Sequence, residues 1–247
     1  RRSSDLQKKV IIPDVNAGCS LADSCNANDF KKFVQDHPGY TVISYVNTSA
    51  AVKAVTDVVV TSTNAKQIVD SFPADEKIIF GPDRNLGNYI NSITGRNMLL
   101  WDGACHVHEQ FSLDKIVQLK KKYPKALVLA HPECKKPLLM LADKVGSTAA
   151  LLKFSMQSDS KEFIVATESG ILHEMQKSSP DKLFIPAPPN DSTCACNECS
   201  FMRLNTLEKL YKALKYEMPE ISVDEDISRK AIIPIRRMLD ISEKLGF

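Results

Sequence analysis

The feature that most constrains this chain is an internal repeat at one undisturbed offset. Pro38 and Val42 recur as Pro124 and Val128, 86 positions later. Asp57 and Val59 recur as Asp143 and Val145, and Cys19 as Cys105. At the same spacing Ser62 falls opposite Thr148, Tyr45 opposite His131 and Asn47 opposite Glu133. The period is far longer than that of a solenoid and fits a duplicated small α/β unit. A looser echo links Lys182–Asn190 to Lys9-Val10-Ile11-Ile12-Pro13 and suggests a third related unit.

Local patterns agree with that class. Candidate strands are Lys9–Pro13, Thr41–Val46, Asp57–Val60, Lys77–Gly81, Met98–Trp101, Ala126–Ala130, Phe163–Ala166 and Lys182–Pro186. They are nearly continuous apolar runs, as expected of parallel strands covered on both faces. Helical patterns lie between them, at Asn85–Thr94, Leu113–Lys122 and Lys135–Val145, so strand and helix alternate. Near the C-terminus, Leu204, Leu207, Leu210, Tyr211 and Leu214 recur at helical spacing. A last helix is expected from about Ile227 to Leu245, kinked or split at Pro234.

Net charge is +2, from 32 basic and 30 acidic residues, which gives no electrostatic case for nucleic acid or a membrane surface. No apolar run reaches the ~20 residues of a membrane-spanning helix. The sequence starts at Arg1 without a Met and enters an apolar run within a few residues, so a fragment lacking an N-terminal part is expected.

Seven cysteines, an odd number, argue against a disulfide framework and favour metal ligands or catalytic thiols. Cys194-Ala195-Cys196-Asn197-Glu198-Cys199 supplies at most three ligands, with no fourth Cys or His at zinc-finger spacing. Cys105-His106-Val107-His108-Glu109 packs four chemically useful side chains into five positions after Trp101-Asp102-Gly103. If extended, it would point His106 and His108 the same way. Ligands of open α/β sheets bind beyond the carboxyl ends of strands. Tyr45 and Asn47 follow one such end, and His131 and Glu133 the equivalent one. Ser62 and Thr148 read as helix N-caps, positions where anions also bind.

These segments resemble the quinolinate synthases. The resemblance is carried by Ala17-Gly18-Cys19-Ser20-Leu21-Ala22-Asp23, Tyr45-Val46-Asn47 and Pro82-Asp83-Arg84-Asn85-Leu86-Gly87-Asn88-Tyr89. It continues through Trp101 to Glu109, Ala130-His131-Pro132-Glu133-Cys134, Gly146-Ser147-Thr148 and Cys199-Ser200-Phe201-Met202. It implies an α/β fold of three pseudo-threefold-related αβα (Rossmann-like) three-layer domains, the first truncated here. The expected division is residues 1–18 as its remnant, 19–104 and 105–195 as the second and third domains, and 196–247 as a C-terminal helical segment.

The resemblance implies an enzyme of NAD biosynthesis that condenses iminosuccinate with dihydroxyacetone phosphate to quinolinate. It implies a [4Fe–4S] cluster held by Cys19, Cys105 and Cys199, which leaves one iron open as a Lewis acid. Tyr45, Glu133 and His131 are the implied catalytic residues. Tyr45, Val46, Asn47, Ser62, His108, His131, Pro132, Glu133 and Thr148 are the implied substrate contacts. Two further substrate-binding residues of the family, a His and a Ser upstream of the first cysteine, have no counterpart here. Cys194 and Cys196 receive no role, a regulatory disulfide being one reading. Aspartate oxidase as the source of iminosuccinate, a homodimer, and a cytoplasmic location (plastid stroma in a plant) complete the expectations. The competing readings are a non-catalytic Fe–S or zinc-binding protein and a glycosyltransferase-like α/β fold; the latter gives no reason for cysteines at strand ends.

Overall fold

The structure, a computed structural model, describes residues 9–191 and 198–246. In chain order the elements are α1 (Ser20–Asp23), α2 (Ala27–Gln35), β1 (Thr41–Tyr45), α3 (Ala50–Lys53), β2 (Val58–Val60), α4 (Ala65–Asp70), β3 (Ile78–Gly81), α5 (Arg84–Thr94) and β4 (Leu99–Leu100). There follow α6 (His106–Glu109), α7 (Leu113–Lys122), β5 (Leu127–Ala130), α8 (Lys136–Leu141), β6 (Lys144–Val145), α9 (Thr148–Gln157), β7 (Glu162–Ala166), α10 (Ile171–Ser178), β8 (Leu183–Pro186), α11 (Ser200–Arg203), α12 (Leu207–Tyr216) and α13 (Glu225–Lys244). They form two compact units. One holds residues 1–82, 97–103 and 200–247, the other residues 83–96 and 104–199.

Each unit is built on a four-stranded parallel sheet, in the orders β2-β1-β3-β4 and β6-β5-β7-β8. The registers repeat as well as the order. Ile43 pairs with Val58 and Ser44 with Val59; 86 positions on, Leu129 pairs with Lys144 and Ala130 with Val145. Asp57 and Asp143 explain the shared geometry. Asp57 Oδ2 accepts from Val42 N and Asp143 Oδ2 from Val128 N, both at 2.7 Å. In return Asp57 N donates to Val42 O at 2.9 Å and Asp143 N to Val128 O at 2.8 Å. Each carboxylate thus fixes where its edge strand enters the sheet.

The second unit shows three layers. Val128, Ala130, Ile164 and Ala166 face a core shared with Val107 (α6), Ile116 (α7) and Leu138 (α8). Alternating with them, Leu129, Phe163 and Val165 face Leu151 (α9) and Met175 (α10). Both faces are dry, as the continuous apolar runs require. Burying each large side chain contributes roughly 1.5–3 kcal/mol, so the strand ends are held on a stiff frame. In the first unit Val42 and Ile79 pack with Phe30 (α2) and Val52 (α3). There α13 lies against α3, β2 and α4.

Four expectations need correction. Residues 9–13 form no sheet strand. Ile11 makes an isolated antiparallel bridge to Glu220, and Ile12 N donates to Pro219 O. The apolar run at 183–186 fills the fourth place of the second sheet, equivalent to β4, rather than opening a third unit. The segment 135–145 is not one helix: α8 ends at Leu141 and β6 follows. The repeat offset applied to β2 points to β6, but its residues are only half-buried and its apolar signal is short. Pro234 does not split α13, which runs unbroken over 20 residues. The apolar stripe of α12 is exposed, with Leu207 82% and Leu214 64% accessible. No helix among the described residues is long and apolar enough to cross a membrane.

Candidate active site

In the first unit the polar residues gather where parallel strands end. Tyr45 closes β1 beside Val60, the last residue of β2, and is buried. Val46 and Asn47 follow on an exposed loop, and Ser62 lies half-buried in the turn after β2. The loop is held from below. Lys53, 9% accessible, donates from Nζ to Val46 O at 2.8 Å, Thr48 O at 2.5 Å and Thr48 Oγ1 at 3.0 Å. Thr48 Oγ1 also donates to Tyr45 O at 3.1 Å. Burial pulls Lys53 down to about 8. Its role is invisible in the sequence, because nothing local marks a lysine that folds back on a preceding loop.

In the second unit three strand ends contribute. His131, Pro132 and Glu133 follow β5 and are buried, Thr148 follows β6 and is exposed, and Thr167 and Glu168 follow β7. His108 joins them from α6. Its Nδ1 lies 3.0 Å from Glu133 Oε2, its Nε2 is 3.2 Å from Thr167 Oγ1, and its ring stacks on His131 at 4.8 Å. His131 Nδ1 lies 3.7 Å from Glu133 Oε1 and takes the Glu133 N–H at 3.4 Å. Outside this cluster, Glu109 braces α6 by ion pairs to Arg84 and Lys135, each at 3.2 Å.

The electrostatics separate the two histidines. Burial opposes a charge on His108, but its contacts with Cys105 and Glu133 outweigh that and push it up to about 10. Burial holds His131 down to about 4, so its ring is neutral at pH 7. With Nδ1 accepting from the Glu133 N–H, the neutral ring carries its proton on Nε2. Beside them Asp83, fully buried, is raised to about 7 by burial and then by the Glu133 charge.

The Cys105–Glu109 segment is helical, so His106 and His108 do not point the same way: His108 is buried and His106 half-buried. Ser62 and Thr148 are not caps. Asn64 stands before α4, and Ser147 caps α9 with its Oγ toward Ala150 N, which leaves Thr148 as the first helical residue. Sequence reading missed Asp83, Thr167 and Glu168. The repeat held the signal, since each follows a strand end.

The cysteines divide by environment. Cys25 and Cys134 are buried; burial raises Cys25 to about 12 and, with the Glu133 charge, Cys134 well above the usual thiol range. Neither suits a metal, which needs the thiolate. Cys19, Cys105 and Cys199 stand at intermediate exposure, unlike the two buried cysteines. Each stands directly before a four-residue helix, α1, α6 and α11 respectively. Cys105 and Cys199 pack against the same core. Cys194 and Cys196 lie outside the described residues.

Cys105 Sγ, a His108 ring nitrogen and a Glu133 oxygen lie within 4.8 Å of one another, a set that could hold a metal ion. His108 Nδ1 is buried and its contact with Glu133 lacks hydrogen-bond alignment. Binding an electrophilic group would displace the His108 proton, and a buried nitrogen without an aligned partner beside the Cys105 thiol fits such a group.

The comparisons place these features in context. The family described as "Quinolinate synthetase A protein" matches residues 4–240. The chain is 56% identical over 236 residues to a quinolinate synthase of Chloroherpeton thalassium, covering 96% of this chain and 73% of that protein. It is 55% identical over 235 residues to the one of Microcystis aeruginosa, covering 95% and 73%. With the one of Nostoc punctiforme it shares 57% identity over 235 residues, covering 95% and 72%.

Proposed function

Because the chain belongs to the quinolinate synthase family, we propose that it makes quinolinate from iminosuccinate and dihydroxyacetone phosphate at a [4Fe–4S] cluster held by Cys19, Cys105 and Cys199. The observation that carries this reading is the buried His108–Glu133–His131 cluster beside Cys105 at the carboxyl ends of parallel strands. When bound, a cubane with three thiolate ligands supplies an open iron as a Lewis acid toward a substrate oxygen.

The chain's own residues supply binding and proton transfer. Asn47, Ser62 and Thr148 present hydroxyl and amide groups to carboxylate or phosphate oxygens. Val46 shapes the loop that carries Asn47, and Pro132 the loop that carries His131 and Glu133. Neutral His131 donates from Nε2 to an anionic substrate group. Glu133, held against the raised His108, takes protons in the enolisation and dehydration steps. Tyr45 serves as the paired acid. The buried walls around His108, His131 and Glu133 keep water from competing for those protons.

We further propose residues 19–104 and 105–195 as two copies of the duplicated unit, with 196–247 following, within a pseudo-threefold plan. The enzyme is proposed to work in the cytoplasm, or the plastid stroma in a plant, as a homodimer supplied with iminosuccinate by aspartate oxidase. A second reading, a non-catalytic protein holding one zinc ion, draws on the Cys105–His108–Glu133 trio. Anaerobic reconstitution separates the two: a brown protein with about four irons per chain that forms quinolinate supports the first, and a colourless zinc protein without activity the second.

A further inference from the structure

The repeat holds a correspondence beyond the site residues. β1 pairs with β3 from Thr41↔Ile78 and β5 with β7 from Leu127↔Phe163, so Ile78 and Phe163 occupy the same place in their sheets. Five residues beyond each stands a carboxylate, Asp83 in one copy and Glu168 in the other.

Both divide their oxygens alike. Asp83 Oδ1 accepts from Leu86 N at 2.7 Å, in the first turn of α5, and its Oδ2 accepts from Cys105 N at 3.2 Å. Glu168 Oε2 accepts from Gly170 N at 2.7 Å, just ahead of α10, and its Oε1 accepts from Cys199 N at 3.3 Å. The second arrangement needs the glycine, because a Cβ on Gly170 would lie 2.7 Å from Glu168 Oε2. All these residues belong to one compact unit. One oxygen therefore ties the carboxylate to its own loop, and the other reaches across the chain to the backbone of a cysteine.

We propose that Asp83 and Glu168 are a duplicated pair of positioning residues, each fixing the backbone of a cluster cysteine, Cys105 and Cys199 respectively. A thiolate ligand is aimed by the backbone that carries it, and both cysteines sit at the entry to a one-turn helix with little rigidity of its own. A bond from the cysteine N–H to a carboxylate whose other oxygen is tied to its own loop restrains the backbone that carries the ligand. Partners of this kind orient the groups that bind the metal. The inference rests on the reading of Cys105 and Cys199 as ligands.

The test uses full-length protein reconstituted anaerobically, with iron release to a chelator followed by bleaching of the brown chromophore. Asp83→Asn and Glu168→Gln each place an amide where an accepting oxygen stood, and should release iron about 10–100-fold faster than the unaltered protein. Ser112→Ala is the control. It removes a helix cap, the Oγ that accepts from Lys115 N, in the same unit, leaves the carboxylate bonds to Cys105 N and Cys199 N in place, and should release iron at the unaltered rate. Glu168 is half-buried, so its variant remains informative if Asp83→Asn does not fold. Release no faster than in Ser112→Ala overturns the inference. Cys105→Ser and Cys199→Ser test its premise: if either keeps a full chromophore, the ligand assignment fails, and the inference for that cysteine fails with it.

Discussion

His108 Nδ1 stands 3.0 Å from Glu133 Oε2, and both side chains are under one-tenth exposed. A cationic ring so close favours the ionised carboxylate, which is the form a general base needs. Glu133→Gln keeps the shape and removes the base. Turnover should fall by ~10²–10⁴-fold with the Michaelis constant nearly unchanged. A variant that raised only the Michaelis constant would make Glu133 a binding group.

Tyr45 ends β1 and is buried at its strand end. Tyr45→Phe removes one hydroxyl from an intact frame. Steady-state kinetics should show turnover slowed by ~10²–10⁴-fold, the range for a lost general acid, while substrate binding persists. Normal turnover would send the proton route through His131 or His108.

The cysteines should separate cleanly by spectroscopy. Cys199→Ser should abolish the brown chromophore. Cys25→Ser should leave it, since Cys25 sits in the core with Phe30 and Val42. A full cluster in the Cys199→Ser protein would transfer the assignment to Cys194 or Cys196.

Asp57 and Asp143 should matter equally for stability. Replacing either by Ala leaves the N–H of Val42 or Val128 without its carboxylate in a buried strand. Each loss should cost about 1–3 kcal/mol, read as a shifted urea midpoint. A large cost at one position and none at the other would mean that the repeat is not energetically equivalent.

Lys53 gives a pH signature. Its ammonium is buried, and burial takes it from 10.5 to about 8. Between those values the unfolded chain holds a proton that the folded chain has released, so this site's contribution to stability rises with pH across that window. The stability of the unaltered protein relative to Lys53→Met should therefore increase between pH 8 and pH 10, measured by urea unfolding. A pH-independent difference would show that Lys53 titrates normally.

The linear sequence determined the repeat, seven of the eight strands among the described residues, and the pairing of Asp57 with Asp143. All of these follow from local apolar runs and a fixed spacing, which survive in one dimension. It also marked Cys19 and Cys105 as equivalents, a relation the two one-turn helices α1 and α6 preserve. Only the tertiary structure decided which polar groups meet. His108 could be read as extended or helical until α6 packed Val107 into the core and buried the imidazole beside Glu133. Asp83 and Glu168 were marked in the sequence only by following strand ends. Each gained its second contact from a cysteine more than twenty residues away. Burial sets Cys25 and Cys134 apart from Cys105 and Cys199. Periodicity records which face of a strand or helix is dry, but the meeting of side chains from separate strand ends depends on how the sheet and its helices pack, and no local spacing encodes that.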